Sequence, residues 1–184
     1  VEKYGNAVET INNAIKERAE VAYVYRYISE SLSSIELIKA PQRAQRGGTR
    51  QAFYKDYSAS TDRKLAKRMI AIYKEKVDAK YHPAFFATID SEFGGSIDAF
   101  VDNLYDNSVY VSKEKYDAAV AAGADLGNDP VENLRAQLHI VSNRIMPKLL
   151  ASSAKIDKAK KAYVAGTLEM MGDNASYPDA NSTM

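Results

Sequence analysis

The chain has 184 residues, 46% of them hydrophobic, and 25 basic against 24 acidic side chains give a net charge of +1. That length suits one domain with a real core, and the balanced charge excludes a dedicated nucleic-acid binder, which needs a strongly basic face. The absence of cysteine excludes disulfides, thiol nucleophiles and cysteine metal sites, and no run approaches the ~18 apolar residues of a membrane span.

Five prolines and nine glycines are few for this length, so long regular elements are expected. The chain opens on Val1-Glu2-Lys3-Tyr4, without an initiator methionine or an apolar signal core. Its first forty residues read as one long helix. Tyr4, Val8, Ile11, Ile15, Ala22, Tyr25, Leu32 and Ile35 recur at heptad-like spacing, interrupted by Arg18 and Ser29. The stripe suits a bundle helix packing on its neighbours, or a dimeric coiled coil. Pro41 should end this helix near Ala40.

Residues 42–60 read as a break. Gln42 to Arg50 holds Gly47-Gly48 and three arginines and lacks apolar spacing, which predicts a solvated loop, mobile or poorly packed between Arg43 and Arg50. The alternative is a basic patch for phosphate or carboxylate. Phe53, Tyr54 and Tyr57 read as core anchors where order returns. Thr61-Asp62 can cap the next helix, whose apolar face is Leu65, Met69, Ile72 and Tyr73. His82-Pro83 opens another, with Phe85, Ile89 and Phe93 inside and Gly94 as its left-handed stop. Ser96 caps a helix with Ile97, Phe100, Val101 and Leu104 on its inner face, and Ser112 starts a short one closing at Gly123.

Asp129-Pro130-Val131-Glu132 is the clearest start signal, with an aspartate cap, proline at the first helical position and glutamate at the third. Leu134, Leu138, Val141 and Ile145 line one face, Pro147 should break or kink the pattern, and Leu149, Leu150, Ile156, Tyr163, Val164 and Leu168 continue it to Gly172. No strand-like alternation of useful length appears. The expectation is an all-α chain: an irregular bundle of six or seven helices forming a single domain over 1–184, with residues 173–184 leaving as an extended tail because Pro178 cannot continue a helix.

Chemistry inside the chain is sparse. His82 and His139 are the only histidines, and neither belongs to a metal-binding pattern; both read as structural or exposed. There is no Gly-x-Ser-x-Gly elbow, dinucleotide fingerprint or Glu-x-x-His spacing. Asp98 and Asp102 can share a helix face, where solvated charge is the simpler reading than acid–base machinery. The triplets Asn174-Ala175-Ser176 and Asn181-Ser182-Thr183 match the glycosylation sequon, a pattern common by chance in polar tails. No cofactor, metal or catalytic residue is expected within the chain, since a serine hydrolase needs nucleophile, base and oxyanion hole in one constellation.

Three stretches carry a resemblance. Tyr177-Pro178-Asp179-Ala180-Asn181-Ser182-Thr183-Met184, with Ala165-Gly166 and Glu169-Met170 before it, is the most specific. Ala52 to Tyr57 with Thr61-Asp62-Arg63-Lys64 is the second, and His82 to Phe86 with Gly95 and Asp102 to Ser108 the third. Together they resemble the S46 family of serine dipeptidyl peptidases. That resemblance implies a helical insertion in a chymotrypsin-like double barrel, capping the active cleft and closing over peptide substrates. It implies removal of dipeptides from free N-termini in the periplasm or at the surface of Gram-negative bacteria, with a lean towards members that prefer an acidic P1 residue. The family's histidine, aspartate and serine fall outside the span that this chain resembles. The expected partners are therefore the family's own barrel domain and peptide substrates, with no nucleic acid and no membrane span. The competing reading is a free-standing helical interaction module, dimerising through residues 4–35.

Overall fold

The computed structural model describes residues 4–174, apart from the side chains at 47–49 and 173. Among them there are eight α-helices and no strand. In chain order these are α1 (Ala7–Arg26), α2 (Glu36–Gln45), α3 (Gly47–Asp56), α4 (Ala59–Lys76), α5 (Phe85–Glu92), α6 (Ile97–Asn107), α7 (Lys113–Ala121) and α8 (Pro130–Met171). Single 3₁₀ turns join several of them. The all-α expectation holds, with one helix more than the upper count expected.

Two compact units divide the chain, one from residues up to Ala22 and from Met146 onward, the other Tyr23–Ile145. In the first, α1 and the later part of α8 run antiparallel. The Tyr4 hydroxyl donates to Glu169, Arg18 reaches the Ser153 hydroxyl at 3.4 Å, and Lys155 pairs with Glu17 at 2.7 Å. The seam is narrow because its buried positions are small. Ala14 and Val21 are buried on α1; Ser152, Ile156 and Ala159 are buried on α8, with Gly166 one heptad after Ala159. A Cβ on Gly166 would sit 3.1 Å from the Tyr4 ring, so any larger residue there requires the ring to give by a few tenths of an ångström. Two large residues of the expected α1 stripe point elsewhere, Val8 at 55% and Ile15 at 45% exposed, as does Tyr163 of the expected α8 row at 53%, while Leu32 and Ile35 at the far end of the stripe are buried.

In the second unit the core is built by Ala66, Ile70 and Tyr73 of α4, Val101, Leu104 and Tyr105 of α6, Phe85, Phe86 and Ile89 of α5, and Val131, Leu134 and Leu138 of α8. Each large apolar side chain fully removed from water contributes about 1.5–3 kcal/mol. The α4 face lies one position on from the expected Leu65–Met69–Ile72 row, which is half-exposed, while Tyr73 belongs to both. Phe93 and Gly95 donate to the Ile89 carbonyl at 3.2 and 2.9 Å, and Gly94 at φ +59 makes the turn that ends α5, as expected. The Ser96 and Ser112 hydroxyls accept from Ala99 and Lys115 as N-caps.

Several expectations fail for identifiable reasons. The long first helix does not reach Ala40. After Arg26 it loosens into a π-helical turn (Tyr27–Ser31) and a 3₁₀ turn (Leu32–Ser34), and Ile35 is extended at ψ 112. Ser29, Ser33 and Ser34 donate to the Arg26, Ile28 and Ser31 carbonyls, the competition for backbone groups that weakens a helix. Pro41 lies buried inside α2 instead of ending a helix. The 42–60 segment is not a loop but the end of α2 and all of α3. Arg43 pairs with Glu36 at 2.8 Å and lies over the Phe53 ring, while Arg50 pairs with Asp117 at 3.5 Å and lies over Tyr116. Helix α5 begins at Phe85, two residues after Pro83. Pro147 leaves α8 running as one element of 42 residues. Residues Gly172–Asn174 form a 3₁₀ turn, so the expected extended tail does not begin at 173; the rest of it, from 175, lies outside the described residues.

Candidate functional site

Two buried carboxylates organise the second unit. Asp62, 4% exposed, does not cap its own helix. It accepts from the Glu36 and Leu37 amides at 2.8 Å each, from the Tyr105 hydroxyl at 2.7 Å and from the Tyr57 hydroxyl at 3.4 Å. Thus an α4 side chain satisfies the open amides at the start of α2, whose own preceding residue, Ile35, cannot. Burial pushes the Tyr57 and Tyr105 hydroxyls far above the ordinary tyrosine value, and the neighbouring Asp62 charge pushes them further. Asp129 does cap α8, accepting from Val131 at 2.8 Å, and it also accepts from the Val109 amide and the Ser108 hydroxyl. Glu132, at the third helical position, pairs with Arg135 at 2.6 Å. Both aspartates are engaged by backbone amides and side-chain hydroxyls together.

The residues considered for chemistry fall apart in space and in character. The His82 ring bonds the Val77 carbonyl at 2.8 Å, a structural role, and His139 is exposed on α8. Asp102 is held by Lys67 at 2.8 Å and Arg63 at 3.4 Å, and the hydrogen bond from Lys67 holds its carboxyl below the usual range. An ion-paired carboxylate of this kind is a poor acid or base at neutral pH. Asp98 is exposed in the first turn of α6. Arg43 and Arg50 pair with partly exposed carboxylates instead of forming a free basic patch. Of the two sequons only Asn174 lies among the described residues. No group of three or more metal-ligating side chains occurs among those residues, and no helix is long and apolar enough to cross a membrane.

What the chain does offer is concave surface. In the first unit a groove of about 1060 Å³ is lined by Tyr4, Asn12, Lys16, Tyr163, Thr167 and Met170, among others. Met170 is 89% exposed on its rim. Small seam residues create this groove by letting the helices approach closely while their larger neighbours stand outward. Nothing in local spacing distinguishes Asp62 as a cap acting on a helix 25 residues away, which is why sequence reasoning assigned it to α4.

The peptidase S46 family model matches residues 43–184. The chain is 28% identical to the Asp/Glu-specific dipeptidyl-peptidase of Porphyromonas gingivalis, over 99% of this chain and 29% of that protein. It is 33% identical to dipeptidyl-peptidase 7 of Phocaeicola vulgatus, over 71% of this chain and 18% of that protein. Among solved structures, it matches Porphyromonas endodontalis DPP11 in complex with the dipeptide Arg-Glu at a TM-score of 0.78 and 26% identity, over 98% of this chain and 29% of that one. The chain therefore spans less than a third of the length of these relatives. On the extent of the family match, this chain belongs to the peptidase S46 family.

Proposed function

We propose that the chain is the non-catalytic helical cap of a serine dipeptidyl aminopeptidase that removes dipeptides from peptide N-termini. On this reading it forms a single functional domain that closes over substrate in a cleft built by the barrel domain of the same enzyme, in the periplasm or at the surface of a Gram-negative bacterium. The observation behind the reading is the near-complete alignment of an all-helical chain with under a third of an Asp/Glu-specific dipeptidyl-peptidase. It is supported by the described residues, in which the His82 ring bonds a backbone carbonyl, His139 is exposed, Asp62 and Asp129 hold backbone amides and Asp102 is ion-paired. Incubation of the chain with chromogenic dipeptidyl substrates should give no turnover above buffer; turnover abolished by a serine-directed inhibitor would defeat the proposal.

The second reading, a dimerisation module, draws on Val8, Ile15 and Tyr25, expected seam residues that α1 leaves exposed. Sedimentation equilibrium over a dilution series separates the two. The cap reading predicts a monomer throughout, and a dimer lost on Ile15→Glu would favour the module.

A further inference from the structure

The chain holds 13 tyrosines, and among the described residues three pairs bring their rings together. Tyr110 and Tyr116 lie 5.6 Å apart but are buried. Tyr54 and Tyr57 meet edge-on at 6.4 Å, and their hydroxyls serve different acceptors, the Tyr110 carbonyl and Asp62. Tyr23 and Tyr27 differ from both pairs. Their ring centroids are 4.9 Å apart with the planes at 54°, and the Tyr23 hydroxyl donates to the Tyr27 hydroxyl at 3.3 Å. The two stand one helical turn apart, at i and i+4, beside the buried row of Val24 and Ile28. That row faces the core and leaves the tyrosine row outward, with Tyr23 47% exposed and Tyr27 half-buried. Tyr27 is also the first residue of the π-helical turn, where the hydrogen-bond register of the helix changes.

We propose that Tyr23 and Tyr27 are a site of oxidative cross-linking, at which a haem peroxidase with hydrogen peroxide joins the two rings by a carbon–carbon bond. Each phenol gives up one electron and its hydroxyl proton. The two phenoxyl radicals couple at ring carbons next to their oxygens, and the proton displaced from each of those carbons returns to its oxygen. Peroxide takes up the two electrons and two protons and leaves as two waters. In the product the hydroxyls flank the new bond, and the substituents crowded around that bond twist the rings out of one plane. The pair already has both features, adjacent hydroxyls and tilted planes. Radicals held in one molecule at this spacing couple without a diffusive encounter, so this bond forms ahead of bonds between molecules. Tyr25, 37% exposed, is two residues from each of them, a spacing at which helical side chains do not face one another. The new bond ties the last turn of α1 to the π-helical turn. The inference rests on these side chains and stands apart from the cap reading.

The test treats the dilute chain with a haem peroxidase and limiting hydrogen peroxide, followed by trypsin digestion and mass spectrometry. Trypsin cuts after Arg26, which separates the two tyrosines. The expected product is the peptide 19–26 joined to the peptide 27–39, lighter by two hydrogens than the pair of free peptides, with dityrosine fluorescence in protein that still migrates as a single chain. Tyr23→Phe and Tyr27→Phe should each lower that fluorescence at least about tenfold, while Tyr25→Phe leaves it in place. The two variants are read independently, so a folding defect in one leaves the other as the test. Cross-linked dimers in place of the internal bond, fluorescence that survives Tyr23→Phe, or oxidised tyrosines without joined peptides would each overturn the inference. The peptidase reading has its own readout, turnover, and is untouched by any of these outcomes.

Discussion

At the scale of single residues, Asp62 ties together segments that lie far apart in the chain. Four donors from three other segments converge on its two oxygens: the amides of Glu36 and Leu37 and the hydroxyls of Tyr57 and Tyr105. Asp62→Ala strands all of them, so chemical denaturation should show a loss of about 3 kcal/mol or more. Asp98→Ala, on an exposed first turn, should stay within about 0.5 kcal/mol. Equal effects of the two substitutions would contradict the cap assignment. The tyrosines set an alkaline limit. Burial pushes the Tyr73 and Tyr110 hydroxyls up to about 12, with Glu132 adding to the effect at Tyr110. A folded value above the ordinary one, about 10, means stability that is complete below about pH 10 and is lost as pH rises towards 12. The urea midpoint should therefore fall between about pH 9 and about pH 11, with tyrosinate absorbance appearing alongside unfolding. A constant midpoint with early ionisation would show that these hydroxyls are not buried.

At the scale of elements, the legible parts of the sequence were those whose signals are local. Ser96, Ser112 and Asp129 cap the helices they precede, and Gly94 and Gly172 end theirs, because each rule involves residues within one turn. The illegible parts depend on partners distant in sequence. Ile35 can break the first helical run because Asp62, 27 residues on, supplies the cap for α2. Arg43 and Arg50 lie in helical structure through Glu36, Phe53, Asp117 and Tyr116, none of which a run of glycine and arginine announces. The α1 stripe was misplaced because large side chains were weighted above small ones, while the seam is Ala14, Ser152, Ala159 and Gly166. Two outcomes follow from the element boundaries. Ala159→Leu should overpack the seam and cost about 1–3 kcal/mol, while Leu150→Ser, at a 63% exposed position, should change little. The Arg43, Ala44 and Gln45 amides of α2 and the Arg50 amide, which donates to the Arg46 carbonyl at 3.2 Å, should resist hydrogen exchange; exchange at the rate of free peptide would restore the loop reading.

At the scale of the whole molecule, the account joins an S46 chain covering less than a third of its relatives' length to a set of described residues whose two buried aspartates, Asp62 and Asp129, are occupied with structure. Its central claim is that these helices complete a dipeptidyl peptidase instead of catalysing alone. The direct measurement replaces the matching region of the Porphyromonas gingivalis Asp/Glu-specific dipeptidyl-peptidase with this chain and compares kcat/KM on a dipeptidyl substrate for the chimera, for the same enzyme lacking the region, and for the chain by itself. The account predicts activity in the chimera, a loss of at least about a hundredfold (about 2.7 kcal/mol) without the region, and none from the chain. Turnover by the chain alone, or full activity in a folded enzyme that lacks the region, would contradict it.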